Sequence, residues 1–275
     1  MIKLGICNEL FEGWDFAQVC AVVKSLGYDG LELAPFTLSP LITDLSRERR
    51  DELRRIVADS GLETIGLHWL LARTEGFYLT SPDRSVRIAT GDYLVELAQA
   101  TRDLGGSLMV LGSPKQRNLL PGVDLATARA YAAEVLARIM PELEGLAVDL
   151  CFEPLAASET DFINTCDEAL ELIARVGSPR LKLHLDVKAQ SGETGATVAE
   201  LFRRHGAIAG HVHVQDVNLR GPGMGTVDFG PIMRALLEAG YDRYASVEVF
   251  DYSPGVLETA RQSIACLRGA LDGRA

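Results

Sequence analysis

Short runs dense in apolar and β-branched residues alternate with longer segments whose apolar residues recur every three to four positions. The short runs fall at 2–7, 29–34, 63–70, 107–112, 147–153, 181–187, 209–215 and 244–250, and predict eight strands. Between them, Phe16-Val19-Val22-Val23-Leu26, Leu94-Leu97-Ala98-Leu104 and Ala132-Val135-Leu136-Ile139 follow the helical period. Gly27, Gly61, Gly105, Gly177 and Gly240 stand where helices should stop, and glycine readily takes the left-handed conformation that ends one. Ser253-Pro254 predicts the N-cap and first residue of the last helix. Several strands are continuously apolar rather than alternating, as parallel strands covered by helices require.

Eight β/α units without a composition break, a low-complexity stretch or a linker predict an α/β protein, a single (β/α)₈ TIM barrel with 1–275 as one domain. The longest loops, at about 71–82 and 113–123, follow the third and fourth strands. They belong at the C-terminal face, where barrel enzymes build their sites.

Composition narrows the partners. A hydrophobic share of 47% can fill a barrel core, and a formal net charge of −11 opposes binding to nucleic acid, which depends on phosphate neutralisation by Lys and Arg. Cys7, Cys20, Cys151, Cys166 and Cys266 are odd in number and form no CxxC, so they read as buried free thiols of a reducing compartment. The stretch Met1–Cys7 has no basic segment followed by a long apolar core, and no apolar run approaches the ~20 residues of a membrane span. The expectation is a cytoplasmic protein with no membrane partner.

The chemistry concentrates at the ends of the last four strands. Glu153, Asp186, His213 and Glu248 each close a separate apolar run, spaced by 33, 27 and 35 residues. If those runs are parallel strands, the four side chains meet at one end of one sheet. Three carboxylates crowded around an imidazole repel one another unless a divalent cation joins them. Hard oxygen donors plus one imidazole suit Mn²⁺, Mg²⁺, Co²⁺ or Fe²⁺, with zinc less favoured in the absence of thiolates.

Glu153-Pro-Leu with Glu159 six later, His-Leu-Asp186, His211-Val-His213 with Asn218 and Gly221-Pro-Gly-Met-Gly, and Val-Glu248-Val-Phe together resemble the xylose-isomerase-like barrel superfamily. Within it the chain is similar to the sugar isomerase/epimerase group typified by D-tagatose and D-allulose (psicose) 3-epimerases. The likeness covers essentially the whole chain and is sharpest over 147–250. It implies one divalent ion, Mn²⁺ foremost, held by Glu153, Asp186, His213 and Glu248, with Glu153 and Glu248 as the acid/base pair. It also implies a ketose or related hydroxy-carbonyl substrate, a metal-stabilised enediolate, and a homodimer or homotetramer. Glu159 matches a residue that contacts substrate and poises Glu153.

Two positions depart from that group. Leu219, followed by Arg220, stands where it has a substrate-binding arginine, and Ala189, preceded by Lys188, where it has a substrate-binding histidine. A different polyol, a keto-acid or a modified sugar is therefore open as substrate, with Lys188 a replacement cation or a solvent-facing lysine. A lyase on the same scaffold, expelling a β-hydroxyl from a keto-sugar or inosose, is the alternative reaction. An endonuclease IV type repair enzyme fits poorly, since Gly112-Ser113 and Ala189 lack the extra metal ligands it needs. No Arg/Lys cluster near the predicted mouth marks a phosphate pocket.

The remaining candidates each carry two readings. His68 is either a substrate hydrogen-bonding group or packed structure, and Glu32 either binds a substrate hydroxyl or forms a structural ion pair. His184 and His211 lie two residues before Asp186 and His213, so they point inward one layer deeper and read as satisfied core histidines. His205 reads as a solvated helix-end cap. Trp14, Phe36, Trp69 and Phe250 could wall an apolar side of the pocket, or simply pack. Asn218 and Arg220, in the loop after the seventh strand, are expected to contact substrate, as are Glu159 and Lys188.

Overall fold

The computed structural model describes residues 1–273. Eight parallel strands close into a barrel in sequence order: β1 Lys3–Cys7, β2 Gly30–Leu33, β3 Glu63–Leu67, β4 Leu108–Leu111, β5 Asp149–Phe152, β6 Leu181–Asp186, β7 Ala209–Val214 and β8 Tyr244–Val247. Closure comes from β1 pairing with β8 through Lys3↔Tyr244 to Ile6↔Val247. Around the barrel run α1 Phe16–Leu26, α2 Arg47–Asp59, α3 Arg84–Asp103, α4 Leu125–Leu146, α5 Cys166–Val176, α6 Val187–Gln190, α7 Val198–His205, α8 Phe229–Glu238 and α9 Val256–Leu271.

The helices start and stop for local reasons. Asp15, Ser46, Asp124 and Thr165 accept hydrogen bonds from backbone N–H groups in the first turns of α1, α2, α4 and α5. Thr197 and Glu200 form a reciprocal capping box on α7. Each of the five glycines expected at a helix end has positive φ, from 75° at Gly177 to 95° at Gly27.

Two boundaries differ from the sequence reading. β3 stops at Leu67 because Trp69 takes φ 53°, a left-handed turn that breaks the strand. α9 opens at Val256 behind Gly255, and Ser253 lies in the preceding turn instead, its backbone N–H donating to Asp251 Oδ1 at 2.9 Å. His205 also departs from expectation. It is 5% exposed, and burial holds its pKa below the usual value.

The strands are buried on both faces, with their outward residues packed under the helices in one large apolar core. Inside the barrel, Ile65, Leu108, Val110 and Cys151 form a small separate cluster near the N-terminal end. Above it the interior turns polar, with Glu32, His184 and His211 fully buried. Cys7, Cys20, Cys151 and Cys166 are buried free thiols and Cys266 is half-buried. Among the described residues, no helix is long and apolar enough to cross a membrane.

Candidate active site

Strand alternation places the site. Cys151, His184, His211 and Ser246 point into the barrel, and Glu153, Asp186, His213 and Glu248, each two residues further along the chain, point inward nearer the C-terminal end. The β6–β7 register pairs Asp186 with His213 directly, and the β7–β8 register pairs His213 with Ser246, two residues before Glu248. Asp186, His213 and Glu248 each present a donor atom within 4.8 Å of the others, and Glu153 lies within the same reach of His213 and His184. The four residues expected to converge do so, each at most 7% exposed.

This donor set fits a divalent cation. His213 Nδ1 sits 3.2 Å from Glu248 Oε2 and is a buried nitrogen with no hydrogen-bond partner among the described residues. Burial, reinforced by the Asp186 and Glu248 carboxylates, holds the Glu153 carboxyl well above its usual range. Burial and Glu248 likewise push Asp186 up to about 6. Burial also works against the charge on Glu248, but the His213 and His68 imidazoles outweigh it and hold that carboxyl below its usual value. Of the two glutamates, one therefore favours its acid form and the other its base form.

The set opens into a cavity of about 340 Å³. Both long loops help to wall it, through Ala72 and Arg73 on one side and Ser113 to Gln116 on the other. Trp69 and Phe250 stack at 5.3 Å and form its apolar side, with Phe36 packed against Trp69 at 5.8 Å. Trp14 packs edge-on against Phe11 instead and does not line the cavity. Arg73 lies over the Phe36 ring and donates to both oxygens of Glu12, at 2.6 and 2.9 Å, which fastens its loop across the mouth.

The expected substrate-contacting residues separate into two groups. Glu159 and Lys188 line the cavity and pair with each other at 2.5 Å. The other four lie outside its lining. His68 is fully buried, with Nε2 2.9 Å from Glu9 Oε2 and 3.9 Å from Glu248 Oε1. Glu32 is fully buried beneath His213. Asn218 organises its own loop by donating to the Met224 carbonyl and accepting from Arg220 N–H. Arg220 donates to Asp251 Oδ2 at 2.8 Å and to Ser253 Oγ, tying the β7 loop to the β8 loop. Leu219 takes φ 69°, and its carbonyl accepts from both Phe250 N–H and Asp251 N–H at the same junction.

Several supporting residues escape the sequence reading. Gln215 donates to Asp186 Oδ2 at 3.3 Å, and alternation beyond His213 was the signal for it. Arg117, 1% exposed, donates to the Glu153 backbone carbonyl at 2.7 Å, and burial lowers its pKa to about 10 against the opposing pull of Glu153 and Glu159. Nothing in the local pattern marked that arginine as buried. His211 is satisfied by Glu32 as expected, whereas neither ring nitrogen of His184 has a hydrogen-bond partner among the described residues.

An eight-stranded parallel barrel with a carboxylate–imidazole donor set at the C-terminal ends of its last four strands defines a class of barrel enzymes. A family model described as xylose isomerase-like TIM barrel matches residues 20–270, and the chain belongs to that family. Among curated relatives, D-psicose 3-epimerase of Enterocloster bolteae is 27% identical over 246 residues, covering 88% of this chain and 79% of the relative. L-ribulose 3-epimerase of Mesorhizobium japonicum is 27% identical over 238 residues, with 86% and 76% covered. A crystal structure of a D-psicose 3-epimerase in the presence of D-fructose superposes with a TM-score of 0.86 at 23% identity, covering 98% of this chain and 99% of that one, a likeness of fold.

Proposed function

We propose that this chain is a divalent-cation-dependent sugar isomerase or epimerase acting on a ketose or a related hydroxy-carbonyl compound. One observation carries the reading: two buried glutamates, Glu153 and Glu248, line one cavity beside the Asp186–His213 pair at the C-terminal ends of the last four strands. Glu153, Asp186, His213 and Glu248 would hold the ion, Mn²⁺ foremost. When bound, it polarises the substrate carbonyl and acidifies the neighbouring C–H. Glu248, whose charge His213 and His68 favour, suits proton removal, and Glu153, whose proton affinity burial and its acidic neighbours raise, suits proton return. The roles exchange in the reverse direction. Trp69 and Phe250 offer an apolar face for the carbon side of a sugar, while Lys188 and Glu159 offer a donor and an acceptor for its hydroxyls. The names of the curated relatives, sugar 3-epimerases, support this reaction class.

The deciding experiment is incubation with Mn²⁺ and a panel of ketoses and keto-inositols in D₂O, read by NMR and mass spectrometry. Deuterium entering one carbon, with the carbon skeleton and oxygens retained, is the expected result. Loss of water or chain cleavage would make the enzyme a lyase. Mn²⁺-loaded protein that exchanges no proton on any ketose would overturn the proposal.

A further inference from the structure

A carboxylate used neither by the proposed proton transfer nor by the substrate cavity sits directly below the ion-binding set. Glu32 is the inward residue of β2, fully buried in the barrel. Its Oε1 lies 3.1 Å from His213 Nε2 and its Oε2 2.7 Å from His211 Nε2. An ionised carboxylate can only accept, so a neutral imidazole bonded to it through Nε2 must carry its single proton there. The opposite nitrogen of His213, Nδ1, is the one turned toward Glu248. With the proton committed to Nε2, Nδ1 is left with a free lone pair on the side of the donor set. His211 grips the second oxygen of Glu32 and so fixes the plane in which the first meets His213.

We propose that Glu32 is a positioning residue for the cation site. It sets the tautomer and ring orientation of His213, and through them the affinity of the site for a divalent ion. A carboxylate behind a metal-bound imidazole typically contributes 10–100-fold in metal affinity. The inference rests on the cation-dependent reading above, but it concerns Glu32 alone and can fail separately. The pair Glu9–His68 supplies an internal control. It is likewise a buried carboxylate–imidazole pair, with 2.9 Å between its polar atoms, but Glu9 meets one imidazole rather than two and His68 is not one of the four residues assigned to the ion.

The test is calorimetric titration of the chelator-stripped full chain with MnCl₂, comparing wild type, Glu32→Gln and Glu9→Gln. Glutamine keeps the shape of glutamate but can turn an N–H toward His213 Nε2, which displaces the imidazole proton to Nδ1. The expected result is a Kd raised about 10–100-fold in Glu32→Gln and little changed in Glu9→Gln. Two-bond ¹H–¹⁵N spectra of metal-free wild type at alkaline pH should show His213 as the Nε2–H tautomer, a reading that needs no variant to fold. Equal Mn²⁺ affinity in wild type and Glu32→Gln, an equal loss in both variants, or an Nδ1–H tautomer in wild type would each overturn the assignment. Wild type that takes up no Mn²⁺ would instead defeat the cation-dependent reading, and the tautomer measurement would then decide the role of Glu32.

Discussion

Glu153 and Glu248 differ less in position than in surroundings. Both close inward-facing strands, but Glu153 faces acidic neighbours and Glu248 faces imidazoles, so the same side chain acquires opposite proton affinities. Replacing either by Gln keeps the shape and removes the proposed proton-transfer function. Each variant should lose about 10²–10⁴-fold in isotope-exchange rate, measured in D₂O at saturating Mn²⁺. A loss confined to KM would contradict a direct role in proton transfer. The four donor residues are legible in the sequence because each ends its own apolar run, and the spacing of β/α units fixes where such ends meet. For Glu32 and His68 the sequence leaves two readings each, substrate contact or a structural role. Their partners, His211 and Glu9, are 179 and 59 positions away, and local pattern does not encode which residue a side chain meets across the barrel.

Between elements, close approach matters more than propensity. Gly112 ends the β4 run at the cavity wall, and a Cβ built there would collide with Glu153 Oε2. Gly112→Ala should therefore displace the Glu153 carboxylate while leaving the barrel folded. The expected signature is a fall in exchange rate of at least about tenfold with an unchanged circular dichroism spectrum, whereas full activity would mean that Glu153 has room to move. In the sequence Gly112-Ser113 is notable only for the metal ligand it lacks, because the approach of Glu153 that requires glycine there exists only in the folded barrel. The two misplaced boundaries have one origin. At Trp69 and at Ser253 the chain leaves its regular element to serve a loop contact, Trp69 stacking on Phe250 and Ser253 accepting from Arg220. Periodicity reports what a segment prefers alone, so such tertiary overrides are invisible to it.

Across the whole molecule, the site sets stability against function. Asp186 has its pKa moved from 3.8 to about 6 in the metal-free protein, so the folded state holds that proton more tightly than the unfolded chain does. Its contribution to stability is complete below about pH 4 and is lost as pH rises through about 6. Bound cation reverses the balance, because it requires the ionised carboxylate. Thermal melts with and without saturating Mn²⁺ should show a larger upward shift near pH 8 than near pH 5. Equal shifts at both pH values would mean that Asp186 does not titrate on binding. The barrel and its mouth are readable from the chain because eight repeated units leave little choice of topology. In the polar layer below the mouth, alternation makes His184 and His211 readable as inward histidines, but not the carboxylate of Glu32 that meets His211 and His213 from across the barrel.

That layer has a practical consequence. Four of the five histidines stand together inside one barrel, their rings 4.3 to 5.7 Å apart, next to carboxylates. Imidazole-rich surroundings hold nickel and copper more tightly than manganese. Protein passed over a nickel resin would leave the column carrying a guest from the bench, and its measured turnover would then reflect purification history as much as the enzyme itself.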